Sequence, residues 1–466
     1  MDNAETIVSY RPSSSRDPIW TRAAGDPERD NSWKRYEAIH LNKSNANQRT
    51  SKGLSVLSAA VFIAGEMAGS GVLALPRAVV DAGWIGLVLI LYFCVNAGYG
   101  GTRLGACWAI LEERYPEHRD PVRNPYATIA YRAFGRKTSL VVSGCIQFTL
   151  FGAGTVYLLL ASQIIQELLE DFVPNISFCI WFLVIALVVC PAMWLGSPKD
   201  FSIVGVGALL TTAFACVLIF TEIVMDGLRN VNPVKHKIPD FKSFFLAFGT
   251  ILFSFGGAST FPTIQNDMLQ KNKFSTSVTI GFAVIILLYL PVAAGGYLVY
   301  GEAVDPNIAL SVNKTTLIVI ANILMAVHLI LAFLIVINPV CQELEEISGV
   351  PHHFHWKRCL LRTIMICMMV FVGESIPHFG KILSLVGGST ITLLTFVFPS
   401  LFYMKLCDQK NTEWPERYIP PYIRIYLWEL ILIGIAGGTA STYSAITEIF
   451  GGESLSMPCY LHSYVK

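Results

Sequence analysis

A chain of 466 residues that is 53% hydrophobic and 14% charged carries far less charge than the roughly 25% of an ordinary soluble domain, so a water-soluble fold is excluded. The 34 basic and 33 acidic side chains leave a net charge of +1, which excludes the basic excess that neutralises nucleic-acid phosphates. The eleven cysteines, among them Cys94, Cys107, Cys145, Cys190, Cys216 and Cys367, lie mostly in apolar runs without CxxC pairs or zinc-type Cys/His clusters. They read as small hydrophobes, with neither a disulfide nor a metal role, and His352, His353 and His355 read as a polar junction between helices.

Residues 1–53 come first in the chain. Arg11, Arg16, Arg22, Lys34 and Arg49 stand there among Ser, Asn and Asp, a composition that cannot bury enough apolar surface to fold. The segment reads as a disordered basic cytoplasmic tail, able to serve as a docking arm for a cytoplasmic partner. Within it, Tyr36 to Ile39 has the form of a tyrosine-based sorting signal. The tail lacks the apolar stretch of a cleaved signal peptide, so the first membrane helix is expected to direct insertion itself.

From Leu54 onward, apolar runs recur at about the ~20 residues that a helix needs to cross ~30 Å of hydrocarbon. The predicted spans are 54–80, 84–108, 138–166, 178–195, 202–224, 243–265, 276–300, 315–341, 359–376, 380–405 and 425–447. An all-α integral membrane protein of eleven transmembrane helices follows, with a membrane domain over 54–447 and a short tail over 448–466. Lys and Arg concentrate in the tail and in the connections on its side, and the bias persists when the tail is set aside. The amino terminus is therefore expected in the cytoplasm and the carboxyl terminus outside or in a lumen. The sequons Asn175-Ile-Ser177 and Asn313-Lys-Thr315 then fall outside, as expected glycosylation sites, whereas Asn42-Lys-Ser44 falls in the cytoplasmic tail and should stay unmodified.

Span 1 carries Gly65, Gly69 and Gly71 around Glu66 and Ser70, followed by Pro76. Small residues in membrane helices usually serve close packing, yet three glycines within seven residues are a poor way to keep a helix continuous. Span 6 repeats the pattern, with Ser254 to Thr260 containing Gly256 and Gly257 and preceding Pro262. Spans 1 and 6 open two five-helix sets, 54–224 and 243–405, and the odd set length inverts the second set. Interrupted segments at matching places in two inverted halves point to a transporter's midplane site. Unwinding bares N–H groups that favour an anion and C=O groups that favour a cation, which is what a zwitterionic amino acid presents. The α-carboxylate is expected near the amides of Ala68, Gly69, Ser70, Gly71 and Val72, beside Glu66 and Met67. The α-amino group is expected near the carbonyls of Ser254, Phe255, Gly256, Gly257 and Ala258.

Ionisable groups inside the spans are functional hypotheses by default. Glu66, near the middle of span 1, is the first candidate for taking up and releasing a proton, and His328 in span 8 is the second. Gln147 and Tyr157 in span 3 are secondary candidates for the centre. Glu374, Lys381 and Asp267 fall near span ends and read as surface charge. No GxSxG, HExxH or GxxxxGKS is present, so an enzyme is not expected, and no ring-forming charged stripe suggests a channel.

The stretches GSGVLALPRAVVDAGW (69–84), YATIAYRAFGRKTS (126–139) and FGTILFSFGGASTFPTIQNDM (248–268) resemble signatures of the amino acid/auxin permease family, and the likeness runs from about Leu54 to the eleventh helix. The resemblance implies a five-plus-five inverted-repeat fold of the bacterial leucine-transporter type with an eleventh helix at 425–447. It also implies secondary transport of amino acids or related amines coupled to protons or sodium, without a cofactor. Sodium-coupled members resemble one another in an Asn four residues before the Gly-Ser-Gly of helix 1; this chain has Gly65 there, which favours protons. The expectation is a proton-coupled carrier of small neutral amino acids in the plasma membrane or an endolysosomal or vesicular membrane. Its rivals are an amino-acid receptor or sensor that does not transport, a sodium-coupled carrier, and a vesicular neurotransmitter carrier.

Overall fold

The computed structural model describes residues 53–451 apart from 120–121, 123, 195–200, 230–233 and 351–354, together with Cys459, with the backbone alone at 119 and 201–205. The expectations for residues 1–52, including Tyr36 to Ile39 and Asn42, for His352 and His353, and for most of the tail beyond Gly451 lie outside the described residues. Each of the eleven expected spans coincides with a helix or with a helix in pieces. Seven helices are long and apolar enough to cross a membrane, and an eighth such span is the pair Val56–Met67 and Ser70–Ala82, bent by 57° at its break. The remaining three are Phe178–Trp194, Phe241–Ser254 continued by Phe261–Asn266, and Trp356–Ser375.

Local chemistry fixes the ends of these elements. Ser55 caps span 1, its hydroxyl accepting from the Ser58 amide at 3.1 Å. Asp240 and Ser243 form a capping box at the start of span 6, and hydrogen bonds from Ser243 hold the Asp240 carboxyl below the usual carboxylate range. The amphipathic helix Pro125–Phe134 stops at Gly135, whose φ of 90° lies in the left-handed region that favours glycine, and Arg136–Leu169 begins at once in a new direction. Span 10 is not a plain α-helix: Phe379–Val386 leads into π-helical turns at Gly387–Ile391 and Leu393–Val397 before Phe398–Asp408 resumes.

The reading of the cysteines needs one correction. Cys179, at the start of span 4, and Cys459, beyond span 11, form a disulfide across a sequence separation of 280, while nine cysteines remain free thiols. Spacing along the chain carries no information about a bridge that the fold alone brings within reach. The reading of Glu374 needs another. Its carboxylate is buried, with 8% of the residue exposed, beside the two sulfur atoms of that bridge.

Other charges at span ends form ion pairs. Lys314 meets Glu167 at 2.8 Å and Glu170 at 2.7 Å. At the opposite face Glu345 holds Arg362 at 2.6 Å and Arg358 at 3.2 Å, and Arg362 also donates to the Met193 carbonyl at 2.6 Å. Three elements are thereby joined, because a guanidinium offers five donors where a carboxylate and a carbonyl converge. Asp267 contributes its backbone: the Leu54 amide donates to its carbonyl at 2.8 Å, and the Leu269 amide donates to the Leu54 carbonyl at 2.9 Å.

Candidate functional site

The two interruptions face each other. A Cβ on Gly71 would stand 2.8 Å from the Ser254 Cα, and one on Gly257 would stand 2.9 Å from the Met67 Cγ. Glycine at both positions is therefore what lets the backbones of spans 1 and 6 approach. In span 1 the helix ends at Met67, Ala68 and Gly69 run extended, and a new helix starts at Ser70. In span 6 the helix ends at Ser254, and Phe255 to Thr260 cross in short turns before Phe261.

Three neighbouring spans hold the break in span 1. The Tyr289 hydroxyl in span 7 donates to the Met67 carbonyl at 2.6 Å. The Tyr157 hydroxyl in span 3 stands beside the Ser70 side chain and 3.9 Å from where a Cβ on Gly69 would lie. His328 in span 8 reaches the Ala68 backbone, and its Nε2 would lie 3.0 Å from a Cβ on Gly69. Breaking a membrane helix exposes peptide groups that hydrocarbon cannot satisfy, and these side chains satisfy part of the set.

A narrow cleft with about 30 Å³ of free space opens beside the breaks. Its lining combines polar Glu66, Ser70, Thr149, Tyr157 and Ser259 with apolar Leu150, Ala153, Phe253, Val336 and Ile391. Met67, Gly71 and Gly256 complete it. Glu66 projects into this space without an ion-pair partner among the described residues. A carboxylate held at membrane depth without a counter-ion is costly unless it is protonated or meets a ligand.

The expected site residues divide. Glu66, Met67, Ser70, Gly71 and Gly256 line the cleft. Ala68 does not offer its amide, which donates to the Ala64 carbonyl at 2.8 Å as the last turn of the first half-helix. Gly69 lies against His328, Val72 is fully buried, and Ser254 packs on Gly71. Phe255 is buried against Phe282 and Tyr289, Gly257 contacts Met67, and Ala258 is buried. The amides left at the cleft are those of the first turn of the second half-helix, from Ser70 onward, where no side chain caps the terminus. Of the secondary candidates, Tyr157 faces the cleft, whereas Gln147 bonds Glu343 instead. Span 3 contributes Thr149, Leu150 and Ala153, span 8 Val336, and span 10 Ile391. None of these stood out in sequence, because which face of a largely apolar helix meets the cleft depends on tertiary packing.

The chain matches the family described as transmembrane amino acid transporter protein over residues 52–447. Among curated relatives, amino acid transporter AVT1D of Arabidopsis thaliana is 26% identical over 398 residues, covering 82% of this chain and 68% of the relative. Amino acid transporter AVT1H of the same plant is 27% identical over 379 residues, covering 78% and 85%. Among solved structures, a mutant manganese transporter of Eremococcus coleocola superposes with a TM-score of 0.61 at 12% identity, over 88% of this chain and 90% of that one. The same transporter in complex with an aromatic bis-isothiourea substituted compound gives a TM-score of 0.58 at 13% identity. These two likenesses speak for the fold alone.

Proposed function

The chain belongs to the transmembrane amino acid transporter protein family, and from that premise we propose that it is a proton-coupled carrier of small neutral amino acids, working by alternating access around the cleft between spans 1 and 6. The observation that carries the reading is the meeting of the two breaks at Gly71 and Ser254 with an unpaired Glu66 beside them. The uncapped amides from Ser70 onward and the positive end of that half-helix suit the α-carboxylate. Carbonyls of the span 6 crossing suit the α-ammonium group. Glu66 takes the proton, and His328 positions the strand that Glu66 precedes. The two interrupted spans stand five apart, in keeping with repeats over 54–224 and 243–405 and an added helix at 425–447.

The test is uptake of a labelled amino-acid panel into proteoliposomes, with and without an imposed proton gradient. Alanine-sized neutral substrates are expected to accumulate when the outer side is acidic, and sodium is expected to make no difference. Saturable binding without flux would instead favour a sensor.

The same reading puts the amino terminus in the cytoplasm. The disulfide and both sequons lie on the face opposite the start of span 1, and disulfides persist in oxidising compartments such as the cell exterior. The sequons differ in surroundings. Asn175 is exposed in the loop before span 4. The Asn313 Nδ2 donates to Asp226 at 2.6 Å, and the Thr315 hydroxyl donates to Glu222 at 2.9 Å. Asn175→Gln is therefore expected to abolish the glycosidase-sensitive mobility shift in a glycosylating cell, and Asn313→Gln to leave it. The reverse pattern would reject this assignment.

A further inference from the structure

Span 10 contributes to the cleft through its π-helical turn, and that turn bears on which side chains the cleft admits. Gly387 and Gly388 are wedged against Gly249 of span 6 and Ser441 of span 11, where no Cβ would fit. The turn that begins there is widened: the Thr392 amide donates to the Gly387 carbonyl five residues back, and the Thr392 hydroxyl donates to the same carbonyl at 2.7 Å. π-helical turns are rare and are frequent at functional sites. Here the Thr390 hydroxyl meets the Thr149 hydroxyl of span 3 at 2.6 Å, and Ile391 joins the apolar lining of the cleft. Its Cδ1 would stand 2.6 Å from a Cβ on Gly256, so Ile391 occupies the space that the missing Gly256 side chain leaves open.

We propose that Ile391, as the π turn presents it, sets the upper size limit for the side chain of the transported amino acid. The inference rests on the transport reading above. The backbone of a bound amino acid is held by peptide groups at the two breaks and by the polar lining of the cleft. In this reading its side chain meets the apolar lining residues Leu150, Ala153, Val336 and Ile391. Leu150, Ala153 and Val336 stand on the uninterrupted helices of spans 3 and 8. Ile391 alone of the four comes from a turn whose helical geometry is altered at that residue, and it abuts the broken backbone of span 6. A β-branched side chain there is stiff, so it excludes bulk instead of yielding to it. Hydrophobic pockets discriminate by roughly 10- to 200-fold per methylene, and removing most of the Ile391 side chain opens room for several methylenes.

The experiment is competition between labelled alanine and leucine in proteoliposomes of the full chain, comparing the unaltered protein with Ile391→Ala, Ile391→Val and Ile391→Phe. The leucine-to-alanine uptake ratio is expected to rise by roughly 10-fold or more in Ile391→Ala, to rise less in Ile391→Val, and to fall in Ile391→Phe. Ile391→Val removes a single methylene, so it keeps a readout if the alanine variant folds badly. An unchanged ratio across active variants overturns the role of Ile391 and leaves the transport reading standing. Failure of the unaltered protein to take up any amino acid overturns both.

Discussion

Gly71→Leu is expected to reduce amino-acid uptake by on the order of 100-fold, equivalent to about 3 kcal/mol of overpacking at a position with no slack, while the protein still inserts and reaches its membrane. The reason is the identity of the atoms in the way. A Cβ at Gly71 would lie 2.7 Å from the Ser254 Oγ and 2.8 Å from both the Ser254 Cα and Cβ. The Oγ can rotate away, but the Cα belongs to the backbone at the end of the first half of span 6. Only a separation of the two half-helices relieves the overlap, and that separation opens the cleft. Gly71→Ala brings the same Cβ and should also be impaired. Gly144 in span 3 provides the control, since a Cβ there meets nothing within 4 Å, and Gly144→Ala is expected to transport normally. Uptake is read against the amount of protein in the membrane and its melting temperature. Normal uptake by Gly71→Leu would mean that the two breaks do not work as a pair.

The spans and their breaks were legible because both leave one-dimensional marks. Hydrocarbon thickness sets a run length, and interrupted helices need Gly and Pro where a continuous helix would avoid them. Glu66 was legible for the same reason, as a charge where charge is costly. The walls of the cleft were not. Leu150 and Val336 sit in largely apolar helices, and which face meets the cleft depends on tertiary packing. The π turn at Gly387 depends on Gly249 and Ser441 approaching from other spans, so the sequence Gly387-Gly-Ser-Thr-Ile391 reads as packing glycine and nothing more. Cys459 and Cys179 are an extreme case: their pairing arises only when the end of the chain returns to span 4. Amide availability lay between these limits. The α-carboxylate was expected near the amides of Ala68 to Val72, and of these the Ala68 amide is taken by the Ala64 carbonyl as the cap of the first half-helix.

Glu66→Gln is expected to abolish accumulation driven by a proton gradient, by at least roughly 10-fold, while leaving exchange of amino acid across the membrane measurable. Glutamine has the shape of a protonated glutamate but cannot release the proton. If Glu66 binds a proton on one side and releases it on the other, the variant is locked in the loaded form and can only exchange substrate for substrate. The sign follows: in the unaltered protein, acidifying the side from which substrate is taken up raises uptake, and in Glu66→Gln the rate no longer depends on that pH. Glu66→Asp keeps a titrating carboxylate on a shorter stem and should restore part of the pH dependence, which a purely structural role would not produce. The surroundings favour the assignment. Tyr157 and Ser70 stand beside Glu66, and among the described residues no cation pairs with it to make the charge permanent. A carboxylate so placed is neutralised by what enters the cleft, a proton or the ammonium group of the substrate. Gradient-driven accumulation by Glu66→Gln equal to that of the unaltered protein, at equal protein level, would exclude the first of these. Loss of exchange together with accumulation would instead assign Glu66 to the ammonium group.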